Sequence, residues 1–290
     1  MWLITHGAGT IGHAVARAAS ARGHKLRLLV CDPANAQGLP ADADVVSPDT
    51  LDATTLNRLL DGVEALVLVS PLCPELAEWH GTLAQAARQR GVKHVVQITA
   101  QGADSKSPMR IFRWLGDAEA RVQAAGINAH VLRPALCMQI LLKQSKDICG
   151  CGVIEAPFRN ARWPMIDARD VADVAVKLLE EPRAKPAVHE LTGPQAIDYF
   201  EIARIVSRGL SRRVEYHDVC APKARGRLEA RRLQPRLIDG LLEFWDYSAS
   251  GAIEPRLTNE VEAILGRAPR KLTDFVKEEM QEVVQLQAQA

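Results

Sequence analysis

The stretch that decides the fold is Thr5-His6-Gly7-Ala8-Gly9-Thr10-Ile11-Gly12. A short apolar run precedes it, and the residues after it have the periodicity of a helix. Glycines between a strand and a helix allow a tight turn, a close approach of the backbone to a phosphate and close helix packing. Because the free N–H groups at a helix start attract negative charge, the stretch predicts a pyrophosphate site. The alternative is a tight turn with no ligand. The predicted phosphate-binding residues are Gly7, Ala8, Gly9, Thr10, Ile11 and Gly12.

Aliphatic or β-branched runs alternate with helical patterns through the first half of the chain, which is typical of strand-helix units around a parallel sheet. This alternation predicts an α/β fold with a doubly wound parallel sheet of the Rossmann type over residues 1–133. The predicted strands are Trp2–Thr5, Lys25–Val30, Asp44–Ser47, Ala65–Val69, His94–Ile98 and Ala129–Leu132.

The pattern is less regular after Pro134, and we expect residues 134–290 to form a smaller α/β lobe packed against the first domain, with a cleft between them. Asp167 is the predicted N-cap of a helix over residues 168–181. Two strands are predicted, at 188–191 and 213–216, on either side of a helix that starts near residue 199. Two last helices are expected to begin after the caps Thr258 and Thr273.

Composition indicates a soluble protein of 290 residues, with 47% hydrophobic and 24% charged residues and a formal net charge of +1. No apolar run is long enough for a membrane span and no secretory signal is evident, so we expect a cytoplasmic protein. The six cysteines are expected to be unpaired, and no metal site is expected. Basic residues cluster only between Lys223 and Arg236, so no nucleic-acid partner is expected. A homodimer is possible.

Further cofactor contacts are expected where the strands end, because ligands of such sheets bind at the carboxyl edge. Asp32 lies 20 residues after Gly12 and could accept from a ribose hydroxyl, but Asp followed by Pro also opens helices without binding a ligand. The two interpretations stay open. The other candidates are Cys31, Asp49, Thr50, Ser70, Pro71, Thr99, Ala100 and Pro134.

The chain resembles the NmrA-like atypical short-chain dehydrogenases, which include quinone, azo-dye and imine reductases and cofactor-sensing regulators. The resemblance spans nearly the whole chain. It implies a Rossmann fold that binds NADP(H) or NAD(H), with the preference undecided. The segments that carry it are the glycine loop, Leu68-Val69-Ser70-Pro71, Gly91-Val92-Lys93-His94-Val95-Val96, Gly102-Ala103-Asp104, Leu132-Arg133-Pro134, Ile166-Asp167-Ala168-Arg169-Asp170-Val171-Ala172, Glu190-Leu191-Thr192-Gly193-Pro194 and Gly266-Arg267-Ala268-Pro269-Arg270 followed by Phe275.

The chain departs from the family pattern at three positions. His6 replaces a common glycine beside the phosphates. Cys31 stands where many relatives have an arginine for the 2′-phosphate, a role for which Arg27 or Lys25 could substitute if they reach the cleft. Leu115 stands where many relatives keep a lysine or histidine, and we expect it to pack in the core.

A tyrosine acid with a lysine four residues later, the usual pair of short-chain dehydrogenases, is absent from the sequence, which has three tyrosines. Lys106 and Asp117 are the titratable candidates near the expected site, and a solvated surface position is the alternative for each. The catalytic residues are therefore left unassigned. The residues expected to line a substrate cleft, with core packing as the equal alternative, are Gln101, Trp114, Cys137, Met138 and Trp163.

Three functions remain open at this point. The first is a reductase that passes hydride from the nicotinamide to a conjugated, imine or quinone-type molecule, which tolerates the missing tyrosine and lysine because the cofactor supplies the chemistry. The second is a regulatory protein that senses the nicotinamide cofactor. The third is a non-redox enzyme for cyclisation or isomerisation, with His6 and Cys31 at the cofactor mouth. We expect the first.

Overall fold

The computed structural model describes residues 1–288 except Pro33, Asn35, Asp49 and residues 182–184. In this part of the chain a parallel sheet has the strand order 3-2-1-4-5-6-8, and two further strands pair in parallel outside it. The predicted doubly wound α/β fold is confirmed. The strands are β1 Trp2–Ile4, β2 Leu26–Leu29, β3 Asp44–Val46, β4 Ala65–Leu68, β5 His94–Ile98, β6 Ala129–Pro134, β7 Val153–Ala156, β8 Val188–Leu191 and β9 Glu215–Asp218.

Helices follow most strands, and short 3-10 turns at 138–140 and 142–144 follow β6. A π-helical segment at 276–280 joins the last two helices. The helices are α1 Thr10–Ser20, α2 Ala53–Leu59, α3 Leu76–Gln89, α4 Arg110–Ala124, α5 Ser145–Cys151, α6 Ala168–Glu180, α7 Tyr199–Gly209, α8 Ala221–Ala230, α9 Pro235–Ala249, α10 Glu260–Leu265, α11 Leu272–Phe275 and α12 Gln281–Ala288. None of these helices is both long and apolar enough to cross a membrane.

Both faces of the sheet are covered, because successive side chains of a strand point to opposite faces. Ile4 packs in a cluster with α1 and α6, whereas Leu3 packs in a second cluster with α3 and α4. Both side chains are fully buried, and each stabilises the fold by about 2 kcal/mol relative to an exposed position. A strand buried on two sides has no polar alternation, which is why these strands read as continuous apolar runs in the sequence.

α6 and β8 were expected in the second lobe, but both pack with the main sheet. β8 pairs with β6, and α6 packs against α1. The predicted cap is confirmed, since Asp167 accepts the backbone N–H of Arg169 at 2.9 Å. Asp170, fully buried on α6, accepts the backbone N–H of Arg270 at 2.7 Å. α6 and β8 therefore pack with the first sheet, because their apolar faces need it for their burial. The division of the chain at residue 134 stays a prediction.

The remaining part of the second half has a separate apolar cluster around the fully buried rings of Tyr199 and Phe275. The strand predicted at 213–216 runs instead over β9, two residues later. The predicted caps Thr258 and Thr273 were wrong: α10 follows Asn259 and α11 follows Lys271. Thr258 donates its hydroxyl to the carbonyl of Glu190 at 2.5 Å, so its side chain fixes the segment to β8 rather than capping a helix.

Candidate functional site

The glycine loop lies between β1 and α1, where the strand order reverses because β1 has β2 on one side and β4 on the other. Open α/β sheets bind ligands at such a switch point. The N–H of Gly7 donates to Leu29 at 2.9 Å and the N–H of Gly9 donates to His6 at 2.8 Å. No side chain caps α1, so the first N–H groups of this helix can bind an anion.

The loop forms a cradle that side chains would fill. A Cβ on Gly12 would lie 2.2 Å from the carbonyl oxygen of His6, and a Cβ on Gly9 would lie 2.1 Å from the His6 ring. A Cβ on Gly7 would lie 3.0 Å from the Cβ of Leu28. Because these neighbours include backbone atoms, the loop needs its glycines to keep this shape. The backbone of the loop and the uncapped start of α1 fit the pyrophosphate of a dinucleotide, while the His6 ring lies against Gly9.

Thr5 fixes the loop to the neighbouring strand, and sequence reasoning missed it. Its hydroxyl donates to the carbonyl of Val69 at 2.5 Å and accepts the N–H of the same residue at 2.8 Å. This side chain therefore joins the ends of β1 and β4 where the cofactor is expected. A threonine at a strand end gives no signal of such a partner, because Val69 lies far along the chain.

His6 has a backbone φ of 49°, in the left-handed region that favours glycine. The common glycine at this position in the family pattern agrees with that conformation. Burial and, to a smaller extent, the positive charge of Lys143 lower the pKa of the imidazole. The ring is therefore neutral at neutral pH in the free protein.

The ribose end of the predicted site is open to solvent. Cys31, Asp32 and Thr50 are exposed, and Asp49 lies outside the described residues. Asp32 accepts the N–H of Ala34 at 2.9 Å, and its contact with a ribose stays a prediction. Thr50 donates to Asp52 at 3.1 Å. None of these contacts prevents a side-chain movement toward a ribose.

Neither basic residue considered for the 2′-phosphate can take that role in this conformation. Arg27 donates to Asp44 at 2.7 Å and to the carbonyls of Arg58 and Leu59 at 2.9 Å each. Its guanidinium is thus held at the carboxyl end of α2. Lys25 precedes β2, at the edge of the sheet opposite the glycine loop.

A cavity of about 630 Å³ opens at the carboxyl ends of β4, β5 and β6. Four predicted cofactor contacts, Ser70, Thr99, Ala100 and Pro134, line it, together with Ile11 of the glycine loop. Pro71 does not line it. Its wall is mainly apolar, with more aliphatic than aromatic side chains. The five aromatic rings come from segments far apart in sequence: Phe112, Phe158, Trp163, Phe244 and Trp245.

Phe244 of α9 is the centre of this aromatic wall. Its ring centroid lies 5.7 Å from that of Phe112, 6.3 Å from that of Phe158 and 5.6 Å from that of Trp163. These are edge-on or tilted contacts, the arrangement that aromatic rings prefer. The wall can hold a flat apolar molecule next to the glycine loop.

Of the residues predicted to line a substrate cleft, Gln101, Cys137 and Trp163 line the cavity and two do not. Trp114 packs against Gly240 of α9, and Met138 is buried in the second apolar cluster. Met138 thus takes the core position that was the alternative for it, and substrate contacts of Met138 and Trp114 stay predictions.

Four titratable side chains line the cavity, namely Cys137, Glu190, Glu254 and Arg256. Arg256 forms an ion pair with Glu190 at 3.4 Å. Burial raises the pKa of Cys137 to about 12, so this thiol stays protonated and is no nucleophile. Neither Lys106 nor Asp117 lies among the lining residues, and no tyrosine does. Leu115 lines the cavity as an apolar side chain on α4. The described residues contain no group of three or more side chains arranged to hold a metal ion.

A polar cluster that the sequence did not reveal lies behind the cavity wall. Thr99 donates its hydroxyl to Glu119 at 2.6 Å, and Arg133 donates to both oxygens of the same carboxylate, at 3.0 and 2.5 Å. The Glu119 hydrogen bond, followed by its charge, raises the pKa of Arg133. The cluster fixes the orientation of the Thr99 hydroxyl, which belongs to the cavity lining.

Comparison with known proteins identifies relatives over the full length. The family model described as the NmrA-like family matches residues 2–275. An NAD(P)H azoreductase of Xenophilus azovorans is 32% identical over 283 residues, which cover 96% of this chain and 97% of the relative.

Solved structures share the fold at lower identity. An NADPH-dependent quinone oxidoreductase of Escherichia coli in complex with NADPH superposes with a TM-score of 0.79 at 22% identity, over 97% of this chain and 100% of the other. A triphenylmethane reductase of Citrobacter sp. with NADP(H) superposes with a TM-score of 0.77 at 18% identity, over 96% and 99% of the chains. With its glycine loop at the switch point and a family match over almost its whole length, the chain belongs to the NmrA-like family.

Proposed function

We propose that the protein is an NAD(P)H-dependent reductase that transfers hydride to a flat, conjugated acceptor of the quinone, imine or azo type. The observation that carries the proposal is one cavity that runs from Ile11, beside the phosphate cradle, to the aromatic wall around Phe244. Relatives named as an NAD(P)H azoreductase and an NADPH-dependent quinone oxidoreductase support it.

In this proposal the protein positions the reactants and excludes water. A bound nicotinamide supplies the hydride. The N–H groups of the glycine loop hold its pyrophosphate, while Ser70, Thr99 and Pro134 are placed to contact the nicotinamide half. The aromatic wall holds the acceptor. A tyrosine-lysine pair is unnecessary because a quinone or iminium acceptor takes the hydride without prior protonation. Any further proton that the reduced product needs comes from solvent water once the product leaves the cavity.

The cofactor preference follows from the same residues. Cys31 has no ammonium or guanidinium group for a 2′-phosphate, and Arg27 is held by Asp44. We therefore propose that the protein uses NADH as well as NADPH.

The test measures oxidation of NADH and NADPH with a panel of quinones, imines and azo dyes, together with the dissociation constants of both cofactors. Phe244→Leu is expected to raise KM for an aromatic acceptor by about five- to tenfold, with the cofactor dissociation constants unchanged. Phe200→Leu is the control, because Phe200 is exposed and lies outside the cavity. Cofactor binding without turnover on any acceptor would contradict a reductase and favour a sensor. Absence of binding would favour a non-redox enzyme.

A further inference from the structure

His6 occupies space that a dinucleotide-binding loop usually leaves empty. The second glycine of such a loop lacks a side chain so that the pyrophosphate can reach the backbone. Here the Cδ2 and Nε2 atoms of the His6 ring would lie 2.1 and 2.3 Å from a Cβ placed on Gly9. The imidazole thus lies against the bare side of Gly9, at the place where the phosphates are expected.

Lys143 adds a second cation from a distant part of the chain. It belongs to the 3-10 turn at 142–144, after β6. Lys143 and Thr10, the first residue of α1, line the same groove. The charge of Lys143 also lowers the pKa of His6, after the larger effect of burial. The ion pairs of the described residues do not include Lys143, and the first turn of α1 contains no acidic residue. The groove that Lys143 shares with the start of α1 also contains His13, Arg17, Arg169, Asp173, Glu278, Glu279 and Glu282. Glu278 and Glu279 are paired with Arg169, and Lys143 is the charged group whose field shifts the pKa of His6.

We propose that His6 and Lys143 form a cationic clamp on the pyrophosphate of the cofactor, with His6 accepting a proton as the phosphates bind. This proposal rests on the proposed function, since it needs a dinucleotide in the glycine loop. Two cations and the N-terminus of α1 then surround one anionic group. Charge-assisted hydrogen bonds to phosphate are roughly twice as strong as neutral ones.

The cationic clamp makes the affinity for the cofactor depend on pH. In the free protein burial and Lys143 hold the pKa of His6 below its usual value, so the ring is neutral near pH 7. Two phosphate charges nearby favour the imidazolium and raise its pKa in the complex. Binding therefore takes up a proton, and affinity increases as the pH falls from the pKa of the complex to that of the free protein. Below the latter value it levels off.

Titration calorimetry of NADPH at pH 7, in two buffers with different heats of ionisation, measures this proton uptake directly. We expect uptake by the wild type and none by His6→Asn or His6→Gly. Both substitutions suit a positive φ, so the loop conformation is retained.

We expect these variants, and Lys143→Met, to bind NADPH about five- to tenfold more weakly than the wild type at pH 6. His217→Asn, an exposed histidine on β9, is the control and is expected to match the wild type. Thermal melting of each variant confirms folding.

The clamp and the proposed function fail in different ways. If the wild type binds NADPH but His6→Gly binds it as tightly or more tightly at pH 6, or if proton uptake persists in His6→Asn, the clamp alone is overturned. If the wild type binds neither NADH nor NADPH, both the clamp and the proposed function are overturned.

Discussion

Glu119 binds two partners behind the cavity wall, the Thr99 hydroxyl and the Arg133 guanidinium. Glu119→Gln loses the charge that Arg133 needs and one acceptor of the Thr99 hydroxyl. Because both charged groups are mostly buried, we expect a loss of about 2–4 kcal/mol in the free energy of unfolding. Urea unfolding followed by circular dichroism measures it. Glu215→Gln, which breaks an exposed pair with Arg213, is expected to leave the midpoint unchanged. Equal midpoints for both variants would refute the prediction.

His80 should give the protein a characteristic pH dependence of stability. Burial lowers its pKa to about 4, below the value of about 6.5 in an unfolded chain. Between these two pKa values His80 is protonated in the unfolded state but not in the native state. The free energy of unfolding is therefore highest above pH 6.5 and decreases as the pH falls toward 4. Between pH 7.5 and pH 5 the loss is about 2 kcal/mol.

The measurement is urea unfolding of the wild type and of His80→Gln at several pH values. Glutamine keeps a polar group beside Gln97, the hydrogen-bond partner of His80 at 3.0 Å, but cannot titrate. We expect the wild type to lose its advantage over this variant at pH 5. His217→Gln serves as the exposed control and should keep the wild-type profile. A constant difference between wild type and His80→Gln from pH 7.5 to pH 5 would disprove the assignment.

A single residue of the site could be predicted from the sequence when its role depends only on residues close to it along the chain. The glycines, His6 and Cys31 could be singled out from the sequence because neighbouring residues show where the loop lies and which backbone conformation it needs. Phe112, Phe158 and Phe244 were missed because they come together only after α9 packs across the sheet edge. Glu119 was missed for the same reason, since its partners lie on two different strands.

At the scale of elements, α1 depends on its contact with the loop before it. Gly12→Ala would place a Cβ 2.2 Å from the backbone oxygen of His6, and a backbone atom cannot move aside without displacing the helix. We expect at least tenfold weaker cofactor binding and a thermal midpoint lower by several degrees, about 2 kcal/mol or more. Differential scanning fluorimetry with and without NADPH measures both effects.

The matched control is Gly226→Ala in the middle of α8, where no atom lies within 4 Å of the added Cβ. Alanine is favoured over glycine in a helix interior, so this variant should be more stable by about 0.5–1 kcal/mol. A Gly12→Ala protein as stable as the control would contradict the prediction, because it would show that the loop can accommodate a Cβ at position 12.

Element positions were predictable where hydrophobic periodicity sets them, as in β5 and α6. The ends of α10 and α11 were not, because cap preference is a weak local effect and Thr258 is engaged by Glu190 instead. The basic stretch from Lys223 is a further case. Lys223 and Arg227 pair with Glu155 of β7, so these cations serve tertiary contacts that no local pattern shows. The absence of a nucleic-acid partner stays a prediction.

At the scale of the whole molecule, the two halves should unfold together. α6 and β8 follow residue 134 but pack against α1 and β6 of the first half. Neither half can therefore unfold without exposing the apolar core of the other. We expect the denaturation curves from tryptophan fluorescence and far-ultraviolet circular dichroism to coincide. Trp163 and Trp245 report on the second apolar cluster. Two separate transitions would instead support independent domains. A homodimer stays a prediction that light scattering can test.

The place of β8 in the sheet has a consequence for biosynthesis. Roughly 50 residues lie between the end of β6 and the start of β8, and a ribosome adds about 5–20 residues per second. The growing chain therefore carries an unpaired edge of β6 for at least about 3 s. Slower translation lengthens that interval, and the nascent chain needs protection from edge-to-edge pairing until residue 191 has left the exit tunnel.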